Sequence, residues 1–173
     1  QNKLNMNLLK RVFVTLLISG LIIPPRTNKE KSITMTNPLL MEFNTPFGVP
    51  PFDQIKTSDF LPATREAIKI HDQEIEAIIK NKAKPDFQNT IVAMERCGSL
   101  LYKVQLVFSN LNSSLTSDTM QEIDAILAPE ISAHYDAIRL NDALFRKVKE
   151  VYENRAGLTL SMEDSILLDD TYK

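Results

Sequence analysis

Residues 58–81 read SDFLPATREAIKIHDQEIEAIIKN, with Leu61, Ile68, Ile75, Ile78 and Ile79 recurring at helical spacing among lysines and acids. Apolar residues returning every three or four positions form one face of a helix, and the charges between them mark its solvated side. Asp59 falls in the first turn, and Pro62 stands near enough to the start to be tolerated. The spacing predicts a helix over about 58–81.

Downstream, the loop 82–86 contains Pro85 and is followed by a second long pattern over about 88–111, with Ile91, Met94, Leu101, Val104, Phe108 and Leu111 on one face. Two amphipathic helices joined by a short loop imply an antiparallel hairpin. A third helix follows Ser117, a capping residue, and carries Met120, Ile123, Ile126, Leu127, Ile131, Tyr135 and Ile138 inward, with a bend or break expected near Leu127 because of Pro129. Asn141 or Asp142 caps a fourth helix with Leu144, Phe145, Val148, Val151 and Tyr152 as its stripe, ending at Gly157. Ser161 with Asp164 has the layout of a capping box for a fifth. That helix shows only two turns of pattern, through Ile166 and Leu167, before Lys173, so the expectation is a last element cut short.

Upstream, residues 35–57 form a Pro- and Phe-rich arm containing Pro38, Pro46, Gly48, Pro50 and Pro51. Proline removes backbone donors and pushes the preceding residue toward extended geometry, so this stretch is irregular. Phe43, Phe47, Val49, Phe52 and Ile55 are apolar, and the arm is expected to lie against the helical body. Residues 1–34 hold Lys10 and Arg11, then an apolar run over 12–23 closed by Pro24 and Pro25. This is the layout of an export signal, and the run is too short for a stable membrane span. Export would place the protein in the periplasm or beyond, whereas a start at Met35 would leave it in the cytoplasm.

Composition agrees with an all-α fold: glycine is only 4 of 173 residues, tryptophan is absent, and 43% hydrophobic residues suffice for a core. A formal charge of −2, with both signs interspersed, leaves no basic stripe for nucleic acid. Cys97, the one cysteine, rules out an internal disulfide or a cysteine zinc cluster and reads as a small buried apolar residue on a helix.

A helical zinc peptidase needs two histidines at i and i+4 with a glutamate beside the first. This sequence has two histidines in all, His71 and His134, on different predicted helices and without a histidine partner in their own motifs. They read as surface or satisfied helix histidines. The acids Asp72, Glu74, Glu76, Glu163, Asp164, Asp169 and Asp170 read as solvated helix faces. No nucleophile elbow surrounds Ser113 or Ser114, and no phosphate-binding glycine loop is present. No catalytic or metal-ligating residue is expected, and substrate-binding residues are not assigned.

The blocks Asn37–Leu40, Phe43–Lys56, Phe60–Ala63, Phe87–Ile91, Phe108–Ser113, Ser132–His134, Leu140 with Asn141, Leu144 with Phe145, and Val148 with Lys149 occur together in order. In that order and spacing the sequence resembles the N-terminal region of the peptidyl-dipeptidase Dcp, oligopeptidase A and thimet oligopeptidase family. The resemblance covers roughly residues 37–173. It implies zinc metallopeptidases, almost wholly helical, that degrade short peptides in a deep channel. Their HExxH motif and third glutamate ligand lie beyond this stretch, so zinc is implied for the full-length parent and no catalytic residue carries over. Gln88 stands where relatives usually have glutamate, and the lipid-accepting cysteine of many exported relatives is missing. The resemblance implies a channel wall that restricts access, made by an extended arm (35–57) and antiparallel helical hairpins of about five helices (58–173). The competing reading is a freestanding helical module that binds a protein or peptide.

Overall fold

A computed structural model describes residues 37–173; the signal-like reading of 1–34 lies outside the described residues. Those residues are helical, and among them no strand occurs. The first helix, α1, spans Thr57–Lys80, within a residue of its expected bounds. Its start is closed by Asp59, whose carboxylate accepts the Lys56 backbone N–H at 2.8 Å.

The second expected helix is divided. A π-helical turn, Phe87–Val92, leads into the short α2, Ala93–Arg96, and a separate α3 runs over Ser99–Ser114. The division lies at Cys97, which is extended, and Gly98, which is left-handed at φ 72°. Apolar spacing alone does not distinguish a helical glycine from one that turns the chain. The entry to the π turn is a reciprocal box: Asp86 accepts from Asn89 N at 2.7 Å, and Asn89 accepts from Asp86 N at 3.0 Å.

Helix α4, Asp118–Arg139, is capped by Ser117 and continues through Pro129 without the expected break. Proline leaves the carbonyl four residues earlier unpaired. Here that residue is Ala125, and both it and Pro129 face solvent, where water can take over the bond. Helix α5 spans Asp142–Glu153 with Asn141 as its cap; it stops short of Gly157, which ends a separate turn, Arg155–Gly157. Helix α6, Met162–Tyr172, opens with the Ser161 and Asp164 capping box that the sequence announces.

Contacts fix the directions. Phe60 near the start of α1 meets Phe108 near the end of α3 edge to face at 5.1 Å, while His71 lies against Gly98 at the start of α3, so these helices are antiparallel. Arg65 pairs with Glu130 and His71 with His134, so α1 and α4 run parallel. Thus α1 is the spine, packed on α3, α4 and α5.

The interior divides into three buried clusters, two of them built on α1. The largest joins Leu39, Phe60, Ala63 and Ala67 with Leu101, Val104, Phe108, Met120, Ile123 and Leu127. A second joins Ile75 and Ile78 to Leu144, and a third joins Phe87 and Ile91 to Val148, Val151 and Leu168. Several stripe residues depart from expectation: Phe60 rather than Leu61 is fully buried, while Ile126, Phe145 and Ile166 are exposed. Small residues at Ala63 and Ala67 let neighbouring helices approach closely, which shifts the buried line away from the bulkiest aliphatics.

The arm docks through one deep residue. Leu39 is completely buried, and Asn37 secures it by accepting from Leu39 N at 3.0 Å and donating to Asp59 O at 2.8 Å. Lys103 of α3 donates to Met41 O at 2.8 Å and covers the Phe43 ring. Phe43 and Ile55 pack on the body as expected, but Phe47, Val49 and Phe52 face solvent.

Candidate functional site

The histidines that the sequence leaves without histidine partners are partners in space. His71 sits at mid-height on the buried face of α1, and the parallel α4 brings His134 opposite it. Both rings are buried, with His134 Nε2 at 3.0 Å from His71 Nδ1. They meet edge to face, and Tyr135 adds a third ring tilted against His134.

Asp72, the next residue along α1, places Oδ1 at 3.1 Å from His134 Nδ1. A carboxylate accepts only, so it favours the tautomer with the proton on His134 Nδ1. In neutral His134, Nε2 is then the acceptor and His71 supplies Nδ1–H. This assignment follows from the hydrogen-bond network. Burial, followed by the neighbouring His134, holds the His71 pKa below the ordinary imidazole value and favours its neutral form.

Two further features close the site. Glu74, one turn beyond His71, accepts the Gly98 backbone N–H at 2.7 Å and anchors the turn that opens α3. A Cβ on Gly98 would stand 2.7 Å from His71 Cε1, so glycine is required both by its positive φ and by the imidazole against it. Burial and Glu74 push the neighbouring Cys97 thiol up to about 11, and its Sγ donates to Ala93 O.

The facing nitrogens of His71 and His134 are spent on each other, and among the described residues no group of three His, Cys, Asp or Glu side chains could hold a metal ion. The remaining acids singled out in the sequence are separate: Glu76 pairs with Lys80, Asp164 caps α6, and Asp169 faces Lys173. Of that group, Asp72, Glu74 and the capping Asp164 do more than solvate a helix face.

Between α3 and α4, over Thr64, lies a groove of about 380 Å³ lined by Gln105, Phe108, Asp124, Leu127, Ile131 and Ser132. Tyr135 donates to Gln105, one of the residues lining the groove, at 3.2 Å. Among the described residues no helix is long and apolar enough to cross a membrane.

No family model matches the sequence. The dipeptidyl carboxypeptidase of Salmonella typhimurium is 40% identical over 134 residues, which is 78% of this chain and 20% of that protein. The dipeptidyl carboxypeptidase of Escherichia coli is 36% identical over 137 residues, 79% of this chain and 20% of its own length. Oligopeptidase A of Escherichia coli is more distant, at 23% identity over 139 residues, again 20% of its length. The chain therefore spans about a fifth of the curated relatives it matches. Over about four fifths of its own length, the chain is homologous to a stretch of dipeptidyl carboxypeptidase and, more distantly, of oligopeptidase A.

Proposed function

We propose that this chain is a non-catalytic, N-terminal helical segment of a zinc-dependent oligopeptidase or peptidyl-dipeptidase that cleaves short peptides, and that it forms part of the substrate-channel wall. The observation that carries the reading is the match of 40% identity to a dipeptidyl carboxypeptidase across most of this chain but a fifth of the relative. The exposed Phe47, Phe52, Tyr102, Leu106 and Phe145 add to it. Large apolar side chains left in water are what a wall separated from its neighbours presents. The chain's own residues supply rigidity: the His71–His134 pair and the Gly98 turn tie α1, α3 and α4 together. Hydrolysis is assigned to residues outside this stretch, where the parent's zinc would polarise the peptide carbonyl and activate water.

The reading is tested by a chimera in which residues 37–173 replace the matched stretch of the Salmonella dipeptidyl carboxypeptidase. Cleavage of short peptides together with continued exclusion of folded proteins is the expected result. A folded, zinc-loaded chimera that cleaves nothing, or one that also attacks folded proteins, would contradict the wall role.

A second reading, a freestanding module that binds a protein or peptide, draws on the completeness of the interior. Among the described residues no buried side-chain nitrogen or oxygen lacks a hydrogen-bond partner. It predicts a stable monomer with no zinc-binding continuation in its gene.

A further inference from the structure

The turn Thr45–Val49 combines two features that seldom occur together in a residue without a role. Phe47 has φ 61°, in the left-handed region that bulky side chains avoid, and its ring is fully exposed at 103%. Neither burial nor a contact within the described residues compensates that backbone conformation.

The turn is nonetheless held firmly. Gly48 N donates to Thr45 O at 3.0 Å, Val49 N to Pro46 O at 3.4 Å, and the Thr45 hydroxyl to Val49 O. Pro46 precedes Phe47, and Pro50 with Pro51 follows. Beyond these, the arm is anchored on one side by buried Leu39 and on the other by half-buried Ile55. A local conformation that costs free energy persists where its surroundings over-determine it, and such positions gather at binding sites. A ring presented on a rigid turn also loses little conformational freedom on docking.

We propose that Phe47, supported by Val49 and Phe52, is an aromatic hook that inserts into an apolar pocket of the remaining four fifths of the peptidase, locking this helical segment to it. This rests on the segment reading above. The occupant follows from the lengths: the relatives carry four fifths of their residues outside the matched stretch, and the hook stands on the matched part. Met41, on the same arm, is exposed as well and extends the apolar surface around it.

The test compares Phe47→Asn in two settings, the 173-residue chain and the Salmonella chimera. Asparagine tolerates the left-handed region, so in the chain alone the substitution relieves strain, and the melting temperature holds or rises. In the chimera the same change lowers the melting temperature by several degrees, and Phe47→Leu, which restores apolar bulk, recovers part of the loss. If Phe47→Asn leaves an active chimera as stable as its parent, the hook is wrong and the segment reading survives. If the unsubstituted chimera is itself inactive though folded and zinc-loaded, both fall. If the chain alone dimerises and Phe47→Asn makes it monomeric, the occupant is a second copy and the proposal is overturned.

Discussion

His71 and His134, 63 residues apart in sequence, meet with Nδ1 of one 3.0 Å from Nε2 of the other, buried where α1 and α4 cross the Gly98 turn. The contact joins the two parallel helices, near the middle of α1 and toward the C-terminal end of α4, where an apolar pair would ordinarily stand. A buried imidazole needs a partner, and each ring supplies it to the other.

This pairing makes stability depend on pH in a definite direction. The folded state holds His71 below its ordinary pKa, through burial and then His134, while the unfolded chain titrates near the usual value of about 6.5. Above that pH His71 is neutral in both states and the difference vanishes. Below it, the unfolded chain takes up a proton that folded His71 resists, so stability falls by at most about 1.4 kcal/mol per pH unit for that site. Urea unfolding at pH 7.5, 6.5 and 5.5 should show stability level at first and then declining. Stability rising toward pH 5.5 would be the wrong sign.

Gly98→Ala should be much more damaging than Gly48→Ala. Both positions have positive φ, which costs alanine about 1–2 kcal/mol, but only at Gly98 would the new Cβ meet a ring, at 2.7 Å from His71 Cε1. The overpacking adds about 1–3 kcal/mol. Denaturant midpoints of the two variants give the comparison, and equal losses would mean that the His71 ring moves aside freely.

The arm's attachment is concentrated in Leu39. Leu39→Ala should cost about 2–5 kcal/mol, because this side chain is completely buried in the main cluster. Met41→Ala, two residues on and exposed, should stay within about 0.5 kcal/mol. A small loss at Leu39, measured by the same denaturation, would mean the arm contributes little to the body.

Cys97 should react sluggishly. With its thiol pushed up to about 11, the thiolate at pH 8 is scarcer than for an ordinary cysteine by about 100-fold, and alkylation slows accordingly. A rate near that of free cysteine in the folded chain would contradict the half-buried, hydrogen-bonded thiol.

How much of this was legible in the sequence follows from what each signal measures. Cap chemistry is local, so Ser117, Asn141 and the Ser161–Asp164 box marked their helix starts directly. Periodicity found α1 within a residue at each end but ran through Gly98, because spacing carries no record of a turn that leaves the apolar register intact. Pro129 points to a bend or a break near Leu127; the helix runs on unbroken, with Pro129 on its solvent face. The histidine pair was hidden for a different reason: it depends on α1 and α4 being parallel neighbours, which no local pattern states. The one hint in the sequence is that His71 and His134 fall at helical spacing within the apolar stripes Ile68–Ile75 and Ile131–Ile138, and it points to burial, not to partnership. The apolar Phe47, Val49 and Phe52 point to an arm lying against the body, yet they face solvent, and the positive φ at Phe47 that holds its ring outward is invisible in a string of letters.

The most direct test of the segment reading is to sequence the encoding DNA past the codon for Lys173. The expected result is an open frame that continues into a helix bearing His-Glu-x-x-His, with a further glutamate downstream as the third zinc ligand. A stop codon immediately after Lys173 would contradict it and leave this product a helical module without a peptidase to serve.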